Sequence, residues 1–474
     1  MKHPLLLLGI LLWPIISLAQ ETHPVNGVHD VRMVYHAFTN ARVHVSPDQT
    51  MDAATLLVQD GRVIACGTAI EIPAGTVVHD CAGQTIYPSF IDAYAGFNYT
   101  KPMRDDKKSP SVVNTASNWN PAIHPEFQFT PTFPIDKKIK EDWLAGGIGV
   151  VNVHERDGIM RGTGALFHIG IDQANLSTIL PHSTSHFSFS KGSSTFDYPS
   201  SHIGAIALFR QTMLDAQWYG SSSPRKEINA SLNALNNENL APSIFELRDE
   251  LSYRNVADLA IEFDKTFILK GNGKEYLIRE HLGAPQKIIV PTAFPKPYDI
   301  KDPLDARMVS LEQLKHWEAA PFNPYFLTTA GHAIALTRDT IRSHKAFIAG
   351  LKKITQSGLS HAQVLAGLTT SPASFLHVQD QVGTLEPGKL ANFFLSNGDF
   401  TDDGFKVIAH WSKGVKVYDT PEVNTGLIGS YNLVIEQGDY LLNLKTIDEK
   451  GVKATVKPKG SEAAFETRVE ITNE

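Results

Sequence analysis

The chain has 474 residues, 42% hydrophobic and 20% charged, with a formal net charge of −7. Apolar content at this level excludes a disordered polypeptide, and the length suits one large domain with appendages or two to three modest ones. An acidic balance without a basic run argues against nucleic acid or an anionic membrane surface as partner.

Residues 1–19 read as a secretory signal. Lys2 and His3 precede the apolar run LLLLGILLWPII, and Ser17-Leu18-Ala19 offers a small-x-small cleavage site before Gln20. The run is too short for a useful membrane anchor, no cysteine stands at the cleavage site, and no later run reaches about 18 apolar residues. The mature chain is therefore expected to be soluble and exported, periplasmic or secreted.

Residues 31–87 form a string of short β-like runs, VRMVYHAFTNARVHV, ATLLVQDGRVIACG and TVVHDCAGQTIYP, broken by Gly, Pro and Asp turn signals. Cys66 and Cys81 fall among them. Export permits a disulfide between the two, but spacing does not show that their Cα atoms approach, and two small buried hydrophobes is the favoured reading.

From about 140 to 375 the apolar runs GIGVVNV, TFILKG, KIIVP and AIALT alternate with helical patterns such as VADLAIEF, where Val256, Leu259, Ala260 and Phe263 share one face. A parallel sheet covered by helices requires this texture. Residues 177–243, rich in Ser, Thr, Asn and Gly, read as long loops around one helical pattern, IGAIALFRQTMLDAQW. Two late helix starts are well signalled: Ser360 with Gln363 at capping-box spacing, and Ser371 before Pro372. After Val382 the β texture returns, and a further β-like module runs from about 425 to the end. No internal repeat is found.

Four phrases in this order resemble the amidohydrolase superfamily: QDGRVIACG, TIYPSFIDAYAGF, LTTSPASFLHVQDQVGTLEPGKLANFFL and VIAHWSKGVKVY. A closer likeness, carried by AGGIGVVNVHERDGIMRGTGAL, the stretch from IFELRDEL through FILKGNGKEY, and VPTAFPKPYDIKDPLDARMVSLEQLKHWEAAPFNP, is to the N-terminal halves of exported bacterial tandem amidohydrolases. The resemblance implies an α/β protein with a TIM-type (β/α)8 barrel over 88–379. It also implies a composite β-sandwich from 28–87 and 380–422, and a β-rich linker-like module over 423–474.

The resemblance further implies a divalent metal, zinc for example, that activates water for hydrolysis of carbon-nitrogen bonds other than peptide bonds. Its ligands would converge at the barrel mouth, beginning with two histidines spaced i, i+2 at the end of the first barrel strand. Tyr94 and Gly96 occupy those positions, and none of the 19 histidines has another two residues away. Glycine offers no ligand, and a phenol must first lose a proton with a pKa near 10. FILKGNGKEY offers Lys270 and Asn272 where histidine is expected. Among the family's ligands, only the metal-binding and proton-shuttling aspartate of the eighth strand has a match, Asp339 in AIALTRDT.

Each remaining candidate has a plainer reading. Asp339 precedes the helical pattern IRSHKAFIAGLKKI and would serve as its N-cap. Asp92 reads as a structural hydrogen-bonding residue. His182 and His186 lie in PHSTSHFSFSKGSS, where Ser and Gly favour solvated loop histidines over an i, i+4 metal pair. His154, with Glu155 and Asp157, falls at the mouth of a strand and reads as a polar lining group. Gly162 and Gly164 in RDGIMRGTGAL read as a tight turn, without the context of a dinucleotide site, and no GxSxG nucleophile motif occurs.

The sequence thus points to an exported protein of amidohydrolase fold with a degenerate metal site, no cofactor, and a non-catalytic role beside an active amidohydrolase subunit. The alternatives are an active hydrolase with an atypical mononuclear site at Asp339, aided by mouth residues such as His154, and a binding protein for a small amide or peptide.

Overall fold

Two hairpins show how local chemistry sets the first sheet. Asp60-Gly61 joins strands Gln49–Gln59 and Arg62–Gly67, and Lys413-Gly414 joins Val407–Ser412 and Val415–Asp419. All four turn residues have positive φ, between 48° and 72°, as two-residue hairpins that match the strand twist require. The computed structural model describes residues 34–96, 116–221, 228–237, 241–420, 429–435, 438–448, 451–459 and 464–469. The segment read as an export signal lies outside them.

The sheet containing these hairpins draws on both ends of the chain. Strand Thr85–Pro88 pairs in parallel with His36–Ser46, with Val43 opposite Ile86, and antiparallel with Phe393–Ser396, with Ile86 opposite Leu395. Phe38, Val43, Leu56, Ile86, Phe393 and Trp411 share its buried cluster. Cys66 and Cys81 are both free thiols, and burial pushes each pKa up to about 11.

The middle of the chain forms parallel strands in two blocks. Phe90–Ala95 pairs with Ile148–Val153 in one. In the other, Ser185–Ser188, Ser243–Glu246, Phe267–Lys270, Lys287–Pro291 and Ala333–Thr337 each lie parallel to the next. Ile91, Val150, Ile244, Ile268, Ile289 and Ala335, drawn from six of these seven strands, share one buried cluster. Helix Ser252–Glu262 buries Val256 and Leu259, and Phe263 closes its C-terminus at 8% exposure.

Among the described residues no strand ladder joins the two blocks, which meet through side chains at two seams. At one, Asp92 accepts from the Thr337 hydroxyl at 2.7 Å and from the Arg338 N–H at 2.9 Å. At the other, the Asn152 amide donates to the Thr184 hydroxyl at 3.0 Å. A separate antiparallel meander holds Gly429–Ile435, Gly438–Asp448, Gly451–Pro458 and Phe465–Val469.

Several expectations need correction. The stretch 177–243 is not long loop around one helix. It contains strands Thr178–Leu180 and Ser185–Ser188 as well as helices His202–Ser221 and Ala230–Asn237. Serines hid the second strand, because its polar side chains are buried rather than solvated. RDGIMRGTGAL is two short strands, Met160–Thr163 and Ala165–His168, rather than a turn. Gly162 is required there, since at φ 79° an added Cβ would collide with the Phe127 carbonyl.

Ser371 does not cap its helix, which starts earlier and spans Thr370–Phe375. Ser360 does cap the helix His361–Leu368, accepting from the Gln363 N–H at 3.2 Å while Gln363 accepts from the Ser360 N–H at 2.9 Å. Ser360→Ala should therefore cost about 1 kcal/mol, read as a lower urea midpoint at unchanged slope.

Candidate functional site

Tyr94 ends the first parallel strand and is fully buried. The first parallel strand of the larger block ends near Ser188, the second delivers Glu246 and the third Lys270. Asp339 follows the last strand, and Arg156 and Arg161 come from the chain after strand Ile148–Val153. Parallel strands bring their C-terminal ends to one side, so residues far apart in sequence gather there.

The cluster is a set of ion pairs built around a phenol. Arg156 Nη1 lies 2.7 Å from Asp339 Oδ1, and its Nη2 donates to the Tyr94 carbonyl at 3.3 Å. Lys270 Nζ lies 3.3 Å from Asp339 Oδ2 and donates to the Gly271 carbonyl at 2.8 Å. Both cations stand over the Tyr94 ring, at 4.8 and 5.2 Å from its centroid. Arg161, almost fully buried, pairs with Glu246 at 2.6 Å and donates to the Tyr94 hydroxyl at 3.2 Å.

The charges set the protonation states. Burial opposes ionisation of Asp339, but Lys270 and Arg156 outweigh it and hold the carboxyl pKa below its ordinary value. Burial likewise opposes ionisation of Glu246, and Arg161 overcomes it. Burial, reinforced by Glu246, pushes the Tyr94 phenol well above its usual pKa, so it remains protonated.

His154 and His186 stack beside Tyr94 with ring centroids 3.5 Å apart and planes within 3°. Burial pushes both pKa values far down, with neighbouring cations adding to it, so both rings are neutral. His186 Nε2 meets the Thr184 hydroxyl at 2.6 Å, while among the described residues neither nitrogen of His154 has a hydrogen-bond partner. Imidazole lone pairs lie in the ring plane, so two parallel stacked rings direct them along separate planes rather than at one ion.

The donors of this site do not fit the divalent metal that the sequence resemblance implies. Asp339 is occupied by two cations, Tyr94 is a protonated phenol, and the histidines do not converge. Among the described residues no group of three or more His, Cys, Asp or Glu side chains is placed to hold a metal ion. At Gly96, a Cβ would sit 2.8 Å from Arg156 Nη2, so the guanidinium occupies the space that a histidine there would need.

The structure reassigns several candidates. Asp339 is not an N-cap: helix His344–Gln356 is capped by Ser343, which accepts from the Ala346 N–H at 3.3 Å. His182 is exposed, but His186 is buried in a strand, so the reading of both as solvated loop groups fails for His186. Asp92 lies at the seam between blocks, where it also accepts from the Tyr94 N–H at 2.9 Å. Glu155 accepts from the N–H groups of Arg156 and Asp157, and Asp157 binds Ser193. Asn272 turns to accept from the Lys274 N–H at 2.9 Å.

Sequence reasoning missed Arg156, Arg161 and Glu246. The available signal was an arginine directly after His154-Glu155 at a strand mouth, a place where charged groups gather.

No protein-family model matches the chain, and no curated protein does. Among solved structures, an amidohydrolase from Thermotoga maritima MSB8 superposes with a TM-score of 0.65 at 19% identity, covering 81% of this chain and 100% of that one. A prolidase complexed with N-methylphosphonate-L-proline gives 0.46 at 14% identity, covering 82% of this chain and 100% of that one. A β-aspartyl dipeptidase from Fervidobacterium islandicum AW-1, in complex with a β-Asp-Leu dipeptide, gives 0.42 at 13% identity, covering 82% and 97%.

Proposed function

We propose, from the premise that this chain has the amidohydrolase fold, that it is an exported, non-catalytic member of that fold. In this reading the two parallel blocks form a barrel whose mouth holds a salt-bridged cluster in place of a metal centre. Its role is to accompany an active amidohydrolase subunit, to which it contributes surface or shape rather than chemistry.

One observation carries the reading: Arg156 and Lys270 both engage Asp339, the only residue that matches a family metal ligand. A hydrolytic metal must be held by anionic or neutral donors with open lone pairs. Here the anion is already neutralised from two sides, and a dication arriving at Asp339 would meet two positive charges within a few ångströms. Coulomb repulsion at that range in a partly buried site amounts to several kcal/mol.

Metal analysis of the purified mature protein, after incubation with zinc or manganese and removal of loosely held ion, tests this directly. Well under one equivalent is expected. One tightly bound equivalent whose removal by chelator abolishes hydrolysis of a carbon-nitrogen bond would overturn the reading in favour of an active mononuclear site at Asp339. Restoring the missing pair with Tyr94→His and Gly96→His should not create activity, because the second imidazole must displace Arg156 while the remaining ligands stay absent. Robust turnover by that double variant would show that a mostly complete site had been present.

A further inference from the structure

We propose that the stacked His154 and His186 rings form an acid-sensitive clasp across the seam between the two parallel blocks, closing it while both rings are neutral and opening it when they are protonated. The inference goes beyond the functional reading above and does not rest on it.

The two rings come from opposite sides of that seam. His154 follows strand Ile148–Val153 of the smaller block, and His186 lies within Ser185–Ser188 of the larger. Beside the stack, the Asn152 amide donates to the Thr184 hydroxyl, the Ser183 hydroxyl donates to Asn152, and Gly164 exchanges main-chain bonds with Ser183 and Thr184. A joint held mainly by side chains, rather than by a strand ladder, can part without unfolding either block.

The neutral stack is sealed. His154 is 3% exposed and His186 1% exposed, and a Cβ added at Gly164 would stand 3.0 Å from His186 Nε2, so that side has no slack. Among the described residues, both ring nitrogens of His154 and Nδ1 of His186 lack a hydrogen-bond partner. Buried polar groups are normally paired, so three orphans in one contact mark a joint with little in reserve.

The charged neighbours oppose a proton on either ring. Arg156 and Arg161 disfavour positive charge on both, and Lys270 disfavours it on His154. The anions beyond them are engaged, Asp339 with Arg156 and Lys270, and Glu246 with Arg161. Glu155 turns to the main-chain N–H groups of Arg156 and Asp157. Tyr94, whose ring centroid lies 4.4 Å from that of His154 and 5.9 Å from that of His186, is held as a neutral phenol. An imidazolium carries two N–H donors, and the closed stack offers His154 an acceptor for neither. Water must supply them, and the seam has to part to admit it.

The sign follows from burial, which holds both rings far below the ordinary imidazole value of 6.5. The closed form therefore loses stability as pH falls through that value, the open-to-closed ratio rising about 10-fold per pH unit for each ring that takes a proton. Asp339 and Glu246 stay ionised over this range, because cations hold both below the ordinary carboxyl values.

Hydrogen exchange of the full chain, read by mass spectrometry at about pH 7.5, 6.5 and 5.5 with labelling times scaled to the intrinsic rate, tests the clasp. Peptides over 148–154 and 183–188 should exchange about 100-fold faster at the lowest pH than at the middle one, while helix Ser252–Glu262 keeps its protection. Return to the highest pH should restore the seam. His154→Leu, which removes a ring with no bond to lose, should cut the acceleration to about 10-fold, and adding His186→Gln should abolish it. Protection that does not change with pH, equal acceleration in helix Ser252–Glu262, or an acceleration undiminished in His154→Leu would each overturn the proposal. The wild-type measurement decides the first two without any variant.

Discussion

Asp92→Ala is expected to lower the free energy of unfolding by about 3–5 kcal/mol, because each buried donor left without its acceptor costs about 1–3 kcal/mol. Asp92 is 1% exposed, burial pushes its carboxyl pKa above the ordinary value, and the group accepts three hydrogen bonds, from the Tyr94 N–H, the Thr337 hydroxyl and the Arg338 N–H. Thr337 can turn toward the Tyr94 carbonyl, already 3.4 Å away, but the two main-chain donors have no such substitute. The loss is concentrated where it matters to the fold, since these bonds join the first parallel strand to the last. Asp92→Asn should cost roughly half as much, because its carbonyl oxygen still accepts while its amide faces a donor. Urea denaturation of the three proteins at neutral pH measures the order. A loss below about 1 kcal/mol for the alanine variant would mean that the seam is held by packing alone.

Asp339→Asn is the second large effect, expected to destabilise by about 3–5 kcal/mol because it leaves a buried cation unpaired. Lys270 carries that cost: its side chain is only 6% exposed, and Asp339 is its ion-pair partner. Arg156, with its side chain 37% exposed, can turn toward solvent, and its share is screened accordingly. Adding Lys270→Met to Asp339→Asn should recover most of the loss, since removing both charges avoids the desolvation penalty. A residue whose main task was binding a catalytic ion would behave otherwise, with loss of turnover and little change in unfolding.

The pH dependence follows from the same pair. The folded pKa of Asp339 lies below its ordinary value. Its contribution is therefore fully present above the unfolded carboxyl pKa, about 3.9, and is lost as pH falls through the lower folded value. Glu246, held down by Arg161 against the opposing effect of burial, acts in the same direction. The Asp339 and Glu246 contributions should therefore decline on the acid side, opposed by Asp92, whose folded pKa burial raises, and Asp339→Asn should flatten that limb. An unchanged acid limb in the variant would show that the Asp339 ion pairs contribute nothing to the folded state.

Which of these residues could be read from sequence depended on the range of their contacts. The capping box at Ser360 is local and was visible in four consecutive residues, whereas the turns at Asp60-Gly61 and Lys413-Gly414 fell inside ATLLVQDGRVIACG and VIAHWSKGVKVY, each read as one β-like run. The apolar runs that became the strands Ile148–Val153, Phe267–Lys270, Lys287–Pro291 and Ala333–Thr337 were equally legible, because a strand buried on both faces needs an uninterrupted apolar stretch. Ser185–Ser188 was not legible, since its burial depends on partners from other strands and its own composition imitates a loop. Asp339 was found by likeness, but its pairing with Arg156 spans 183 positions, beyond any local pattern.

The chain by itself determined the apolar strand runs, the capping box at Ser360 and the presence of Tyr94 and Gly96 at positions where the resemblance implies histidines, because propensity, capping chemistry and residue identity are properties of neighbouring residues. Tertiary structure alone decided that a guanidinium fills the space above Gly96, that two cations converge on Asp339, and that His186 is buried in a stack with His154. Those outcomes are set by Coulomb attraction and close packing among strand ends brought together from across the sequence, and neither force leaves a periodic trace in the residues that obey it.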